Sequence, residues 1–381
     1  MKIAIIKRKF LESGGGGAEK YAQNVCIRLA ARGHELTIIA EKISDERNCS
    51  YSYIKIPKSA KISTSGTTGF HKRVQKYIKS ENMENTFDII YALSRTYPTT
   101  IFRATEQVHA EWLKLNKPKI EQLNPRHRGI LKLEKYICNI SNTKSIVTNS
   151  QLVKNLINQI YKYPEEHIHV IRNGIDREKF YPVSDINERN CLRKKLFNIN
   201  DKNKTVLLFA GANFEIKGLK NAMEAVSKLN EEILSKVMFY VVGGDSPEKY
   251  IEYANKLNIS DKIIFVGNKS NMRDYYAGSD LLLFPSLGEP FANVCLEACT
   301  CGLSVLTTEQ NGSSELIDEA KNGYVIDSAK NINAMTNLIS KYMMLSEDEK
   351  EAYSKAAIEA TENYSWEKHV LTLENLFSRL K

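Results

Sequence analysis

Short apolar runs rich in branched residues recur along this chain, separated by stretches with helical periodicity. That alternation constrains the fold more than any other feature. In the first half the runs are Ile3 to Ile6, Leu36 to Ala40, Ile89 to Leu93, Ser145 to Thr148 and His167 to Ile171. In the second they are Thr205 to Phe209, Val237 to Val242, Ile263 to Val266, Asp280 to Phe284 and Ser304 to Thr307. Strands alternating with segments such as Ala18 to Arg32 predict parallel sheets built of βαβ units. Each half is expected to be a doubly wound, Rossmann-like α/β sheet.

A chain of 381 residues is long for a single core and reads as two domains, with a cleft expected between them. The polar segment from Gly174 to Asn190, which contains Pro182, has the composition of a linker, so the boundary is placed near residue 180. The expected division is 1–180, 181–362 and a final segment 363–381. Ser346 to Leu380 should be helical, with Tyr364-Ser365-Trp366 breaking it before a last amphipathic helix.

Apolar residues at 42% and charged residues at 26% are the balance of a globular protein. No apolar run approaches the roughly 20 residues that span a bilayer, and Met1 to Lys7 is too short for a signal peptide, which predicts a cytoplasmic protein. Seven cysteines at irregular spacing do not form a disulfide framework, and the Cys295, Cys299, Cys301 cluster reads as packing around a helix, so no metal site is expected. Charge is uneven. Residues 1–180 carry 31 basic and 17 acidic side chains, whereas the remainder carries 23 and 28. A basic half attracts nucleic acid, anionic lipid or a phosphorylated substrate alike, and charge does not choose among them.

Two motifs point to chemistry. After the first run comes Ser13-Gly14-Gly15-Gly16-Gly17 and a helix opening at Ala18-Glu19, a setting in which backbone amides approach an anion closely. The dinucleotide fingerprint G-x-G-x-x-G fails there, because Glu19 or Lys20 takes the last glycine position; this weakens a dehydrogenase reading although Glu41 has the spacing of a ribose-binding acid. In the second half, a run ending at Pro285 is followed by a loop bearing Glu289 and a helix bearing Glu297. Carboxylates at the carboxyl edge of such a sheet suit the vicinal hydroxyls of a sugar nucleotide. Lys217, in Phe209 to Gly218, falls at a strand-to-helix loop where an ammonium can neutralise a leaving diphosphate.

The arrangement Pro285-Ser286…Glu289-x7-Glu297-Ala298…Gly302-x-x-Val305 resembles the signature of the family 4 retaining glycosyltransferases, which have the GT-B fold. Gly16 to Lys20, Asn149-Ser150, Ile171 to Asp176 with Phe180, Val242-Gly243-Gly244 and Phe265-x-Gly267 agree in order and spacing, so the resemblance covers nearly the whole chain. A narrower likeness to the lipopolysaccharide core glucosyltransferases rests on Arg103 to Trp112, Arg126-His127-Arg128 and Leu133-Glu134.

The resemblance implies two Rossmann-like domains, the first binding acceptor and the second nucleotide sugar, with a C-terminal helix able to return to the first. It implies a catalytic set of Lys217, Glu289, Glu106 and His109. The donor would be held by Gly16, Gly17, Asn173, Gly211, Gly243, Gly267, Pro290, Phe291, Ala292, Asn293, Val294 and Glu297. Glu297 would bind ribose hydroxyls, Glu289 donor-sugar hydroxyls and Lys217 the diphosphate. The donor would be a UDP-sugar, with no cofactor, and the acceptor a lipid-linked glycan reached at the inner face of the cytoplasmic membrane, with no nucleic-acid partner. Many relatives pair the lysine with an arginine, but Ala212 and Ile216 stand at the corresponding places here, and Pro290 follows Glu289 where a smaller residue is usual. No Asp-x-Asp occurs, so no metal–diphosphate bridge is expected. The competing readings are a nucleotide-sugar epimerase or hydrolase of the same fold and a basic, non-enzymatic membrane- or nucleic-acid-binding protein.

Overall fold

The computed structural model describes residues 1–11, 16–43, 50–58, 66–104, 106–201, 203–319 and 321–381. Ser13, Gly14 and Gly15 of the glycine loop, and Thr105 of the Arg103-to-Trp112 motif, lie outside these. The chain forms two compact units, Met1–Gly174 with Tyr364–Lys381, and Ile175–Asn363.

Strands of the first unit are β1 (Lys2–Ile6), β2 (Lys9–Phe10), β3 (Glu35–Ala40), β4 (Lys42–Ile43), β5 (Ser52–Lys55), β6 (Ile89–Ala92), β7 (Thr99–Ala104), β8 (Thr143–Thr148) and β9 (Ile168–Val170). Seven of them form a parallel sheet in the order β5-β3-β1-β6-β7-β8-β9, with β2 and β4 as a separate short pair. Both faces are covered, so successive residues of one strand enter different cores. Ile3 and Ile5 pack with Tyr21, Val25 and Leu29 of helix Gly17–Ala31 and with Val370, Leu373 and Phe377 of helix Trp366–Leu380. Ala4 and Ile6 pack with Phe70 and Val74 of helix Thr67–Ser80 and Ile137 of helix Pro125–Ile137.

The second unit holds β10 (Thr205–Ala210), β11 (Val237–Val242), β12 (Ile263–Gly267), β13 (Leu281–Phe284), β14 (Ser304–Thr308) and β15 (Gly323–Ile326). They form a parallel sheet in the order β12-β11-β10-β13-β14-β15. In each sheet the order reverses next to the unit's first strand, between β1 and β6 and between β10 and β13. Such reversals open a crevice beyond the carboxyl ends of the strands, where ligands of doubly wound sheets bind.

Each run read from the sequence contributes a strand. Sequence reasoning missed β2, β4, β5, β7 and β15, and the segment read as a linker continues into helix Ile186–Phe197, whose N-cap Asp185 accepts hydrogen bonds from the Asn187 and Glu188 amides at 2.8 and 2.9 Å. The division between units falls at Gly174 instead of residue 180. A Cβ on Gly174 would lie 2.6 Å from the Trp366 backbone, which keeps this residue in the first unit, whereas Phe180 stands 6.2 Å, ring to ring, from Tyr276 of the second.

Helix Trp366–Leu380 belongs to the first unit, capped by the Ser365 hydroxyl and burying Trp366, Val370, Leu373, Leu376 and Phe377. Each such side chain contributes about 1.5–3 kcal/mol by leaving water. Within the same core the Tyr21 hydroxyl lies 2.9 Å from His369 Nε2, and His369 Nδ1 lies 2.6 Å from the Arg172 carbonyl.

Candidate active site

Three loops follow neighbouring strands of the second sheet, and their own backbone ties them together. The Gly211 amide donates to the Val242 carbonyl at 2.9 Å and the Gly243 amide to the Gly267 carbonyl at 3.1 Å, so the ends of β10, β11 and β12 are joined in sequence. Space there is tight. A Cβ on Gly243 would lie 2.1 Å from the Gly211 carbonyl, and one on Gly218 would lie 2.0 Å from that of Pro285. Gly211, Gly218 and Gly267 also have positive φ, at 140°, 79° and 71°. Conformation calls for glycine at Gly211, Gly218 and Gly267, and lack of space calls for it at Gly218 and Gly243.

The loop after β10 is shaped by Asp245, whose carboxylate accepts from the amides of Asn213 and Phe214, each at 2.9 Å. It then packs on the loop after β13, where the Leu287 amide donates to the Ile216 carbonyl at 2.8 Å. This fastening brings Lys217 to Glu289. The ammonium donates directly to the carboxylate, with both side chains about one-fifth exposed. The Lys217 ammonium also stands 5.3 Å from the centre of the Phe284 ring.

Asn311, fully buried, holds the next segment. Its side-chain carbonyl accepts from the Ala292 and Ser313 amides at 3.3 and 3.1 Å, and its amide donates to Thr307 Oγ1 at 2.9 Å. The Glu289 amide donates to the Gln310 carbonyl, and the Gly312 amide to the Glu289 carbonyl, both at 2.9 Å. Glu289 is thus clamped on its main chain while its carboxylate stays partly open to water. Pro290, Phe291 and Ala292 are buried, and Asn293 and Val294, half-buried, begin helix Asn293–Thr300, which carries Glu297. The buried Tyr276 hydroxyl donates to Glu297 Oε2 at 2.9 Å, and burial raises that hydroxyl's pKa well above the usual range, so it remains a donor.

The candidate residues of the first unit are arranged around charge. Arg95, nearly buried, donates through Nε to Glu134 at 3.1 Å, through Nη2 to the Gln107 carbonyl at 3.1 Å, and through Nη1 to Glu106. The Glu106 carboxylate is 69% exposed and lines a cavity with Lys7, Arg8 and Arg95. The Glu134 carboxylate further accepts from the His109 amide, 3.0 Å to each oxygen, and from the Tyr161 hydroxyl at 2.7 Å. The His109 ring lies 3.0 Å, Nε2 to Nδ1, from His127 and is stacked beside Trp112 at 5.6 Å. Burial, then Arg95, His127 and Arg126, push its pKa down to about 4, so it is neutral at pH 7 and offers hydrogen bonds, not charge.

Gly16 caps helix Gly17–Ala31, its amide donating to Glu19 Oε2 at 3.1 Å. Asn173 is buried in the first unit, where its side-chain carbonyl accepts from Arg103 at 2.6 Å. The structure therefore brings Lys217 and Glu289 into contact and sets Gly211, Gly243 and Gly267 in one run of strand ends. Glu106 and His109 meet around the Arg95–Glu134 pair. Sequence reasoning missed Asp245, Tyr276 and Asn311. The Gly243-Gly244-Asp245 and Asn311-Gly312 runs carried a turn signal, but Tyr276 gave none. Among the described residues no cluster of three or more His, Cys, Asp or Glu could hold a metal ion.

Two family models match, Glycosyltransferase Family 4 over residues 15–179 and Glycosyl transferases group 1 over residues 193–360. The lipopolysaccharide glucosyltransferase WaaG of Escherichia coli K12 is 25% identical over 82% of this chain and 82% of its own length. Spore coat protein SA of Bacillus subtilis is 23% identical over 99% of this chain and 98% of its own. Among solved structures, that of WaaG superposes with a TM-score of 0.82 at 22% identity, covering 99% of each chain. Anabaena HepE in complex with UDP-glucose superposes at 0.72 and 16% identity, covering all of both chains.

Proposed function

We propose, for a chain that belongs to the group 1 and family 4 glycosyltransferases and has their GT-B fold, that it transfers a hexose from UDP to a lipid-linked glycan with retention of anomeric configuration and without a metal ion. The observation that carries this reading is the Lys217–Glu289 contact, set where the strand order of the second sheet reverses. A cation and a carboxylate held side by side match the two ends of a sugar diphosphate. Lys217 would exchange its carboxylate partner for the diphosphate, and Glu289, freed, would accept hydrogen bonds from donor-sugar hydroxyls. Glu297, steadied by Tyr276, would accept from the ribose hydroxyls.

The acceptor hydroxyl attacks the anomeric carbon on the face from which the diphosphate departs. The glycosyl C–O bond to the diphosphate breaks, the new C–O bond forms, and a diphosphate oxygen takes the proton. Charge accumulates on the leaving group, so a fixed ammonium stabilises the transition state more than the ground state. Neutral His109 and the exposed Glu106 would orient the acceptor. The complex of HepE with UDP-glucose and the lipopolysaccharide glucosyltransferase activity named for WaaG support a UDP-hexose donor and a glycan acceptor.

Lys217→Ala is expected to lower kcat roughly a hundredfold or more. Unchanged turnover in that variant would sink the assignment. A panel of UDP-, GDP- and ADP-sugars screened for thermal stabilisation identifies the donor, because a ligand bound to the folded state raises the melting point. No helix among the described residues is long and apolar enough to cross a membrane. The basic first half would hold the enzyme at an anionic leaflet, at about 1 kcal/mol per basic residue near the surface. Equal sedimentation with anionic and neutral vesicles would remove that attraction.

A further inference from the structure

At the reversal point of the first sheet, beyond β1 and β6, lies a second polar cavity of about 470 Å³ including its mouth. Lys7, Arg8, Lys9 and Arg95 line it together with Ser94 and the carboxylates of Glu19 and Glu106. Lys9 is exposed and Arg8 half-buried, but Lys7 is withdrawn from solvent. It is 6% exposed, and its ammonium stands 3.9 Å from Glu19 Oε1, an ion pair too long for a hydrogen bond. Desolvation by burial, only partly opposed by Glu19, lowers the pKa of this ammonium. A buried, weakly paired cation is costly unless something of opposite charge joins it.

A second feature points the same way. Thr67 and Phe70, from the first turn of the fourteen-residue helix Thr67–Ser80, line the same cavity. That helix has Gly66 as N-cap, no side-chain cap hydrogen bond and no acidic residue in its first turn, so its positive dipole end is unmatched by any local carboxylate. A helix start of that kind and a buried ammonium around one opening make an anion site. Glu19 and Glu106 set its limit. Arg95 is already committed to Glu106 and Glu134, so the surplus charge comes from Lys7, Arg8 and Lys9.

We propose that this cavity binds a phosphoryl group carried by the acceptor, so that the glycan accepting the sugar is a phosphorylated one. The inference rests on the glycosyltransferase reading, in which the donor diphosphate already has its cation in Lys217 and the cavity of the first unit is left for the acceptor. A phosphoryl dianion matches several convergent cations better than a neutral sugar does.

The test is calorimetric titration of the full chain with inorganic phosphate and, separately, with UDP, for the unaltered protein and for Lys7→Gln, Arg8→Gln and Lys217→Ala. Inorganic phosphate is expected to bind the unaltered chain. Its affinity should fall tenfold or more in Lys7→Gln, severalfold in Arg8→Gln, and stay unchanged in Lys217→Ala. UDP should show the reverse pattern, losing affinity only in Lys217→Ala. Phosphate that fails to bind, or binds all four proteins equally, overturns the proposal, as does UDP affinity that falls with Lys7→Gln, since the cavity would then serve the donor. Loss of the donor reading alone would appear as UDP binding indifferent to Lys217, with the phosphate results unaffected. Arg8 is only partly buried, so Arg8→Gln keeps the test open should Lys7→Gln disturb folding.

Discussion

Beyond β10 and β13 the loops are fastened mainly by main-chain hydrogen bonds among Gly211, Gly243, Gly267, Glu289 and Gln310, with glycines where a side chain has no room. Beyond β6 and β7 the corresponding region is fastened by side-chain charge, with Arg95 bridging Glu106 and Glu134, and Glu134 in turn holding the His109 amide and the Tyr161 hydroxyl. The first kind of scaffold fixes loop shape chiefly through the main chain, with the Asp245 carboxylate as a titratable brace. The second ties shape to protonation. All seven histidines follow the same division, for each of them lies in the first unit.

The comparison breaks most visibly at Glu134. Glu134→Ala leaves Arg95 short of a buried counter-ion and two donors unpaired, which should cost about 3–5 kcal/mol by chemical denaturation. A loss under 1 kcal/mol would mean that the charged scaffold is ornamental. In the second unit Gly243→Ala should cost about 2–3 kcal/mol, because the added methyl meets the Gly211 carbonyl and the Phe214 ring. Unaltered UDP binding in that variant would argue against a main-chain scaffold.

Acid should separate the units next. Burial lowers the pKa of both His71 and His109 to about 4, against about 6.5 in an unfolded chain. Between those values the unfolded state binds protons that the folded state refuses, so their contribution is present at neutral pH and is lost as pH falls from about 6.5 towards 4. Once intrinsic rates are corrected, hydrogen exchange at pH 5 should show core amides of the first unit exposed at least about tenfold more often than at pH 7. Those of the second unit, which has no histidine, should change little. Equal loosening of both would contradict the division. The smallest effect belongs to Tyr276→Phe, which removes one hydrogen bond to Glu297 and should weaken UDP binding severalfold, about 1 kcal/mol, with kcat preserved. A fall in kcat without any change in affinity would assign Glu297 a different part.

Most of the architecture was legible because parallel strands buried on both faces are apolar along their whole length, as in Val237 to Val242. The strands that escaped notice break that pattern. Thr99–Ala104 includes Arg103, a buried cation stacked 3.7 Å from the centre of the Tyr21 ring, and Gly323–Ile326 is short and begins with glycine. Lys217, Glu289 and Glu297 stood out because strand, turn and helix signals bracket them in sequence. Asp245, Tyr276 and Asn311 did not, since their partners are 31, 21 and 19 residues away along the chain. Long-range hydrogen bonds of this kind leave no local periodicity. The division at Gly174 was hidden for a related reason, because what keeps that residue in the first unit is a tryptophan near the end of the chain.

The helix Trp366–Leu380 has a bearing on how the polypeptide is made. Residues 175–363 emerge from the ribosome before this helix exists, so the second unit has its whole sequence available while the first still lacks one wall. During that interval Ile3, Ile5, Tyr21 and Tyr91 face water or a chaperone in place of Val370, Leu373 and Phe377. A stop codon placed just before Tyr364 would deprive the opposite end of the polypeptide of its cover, and the nascent N-terminal sheet is the part that would aggregate.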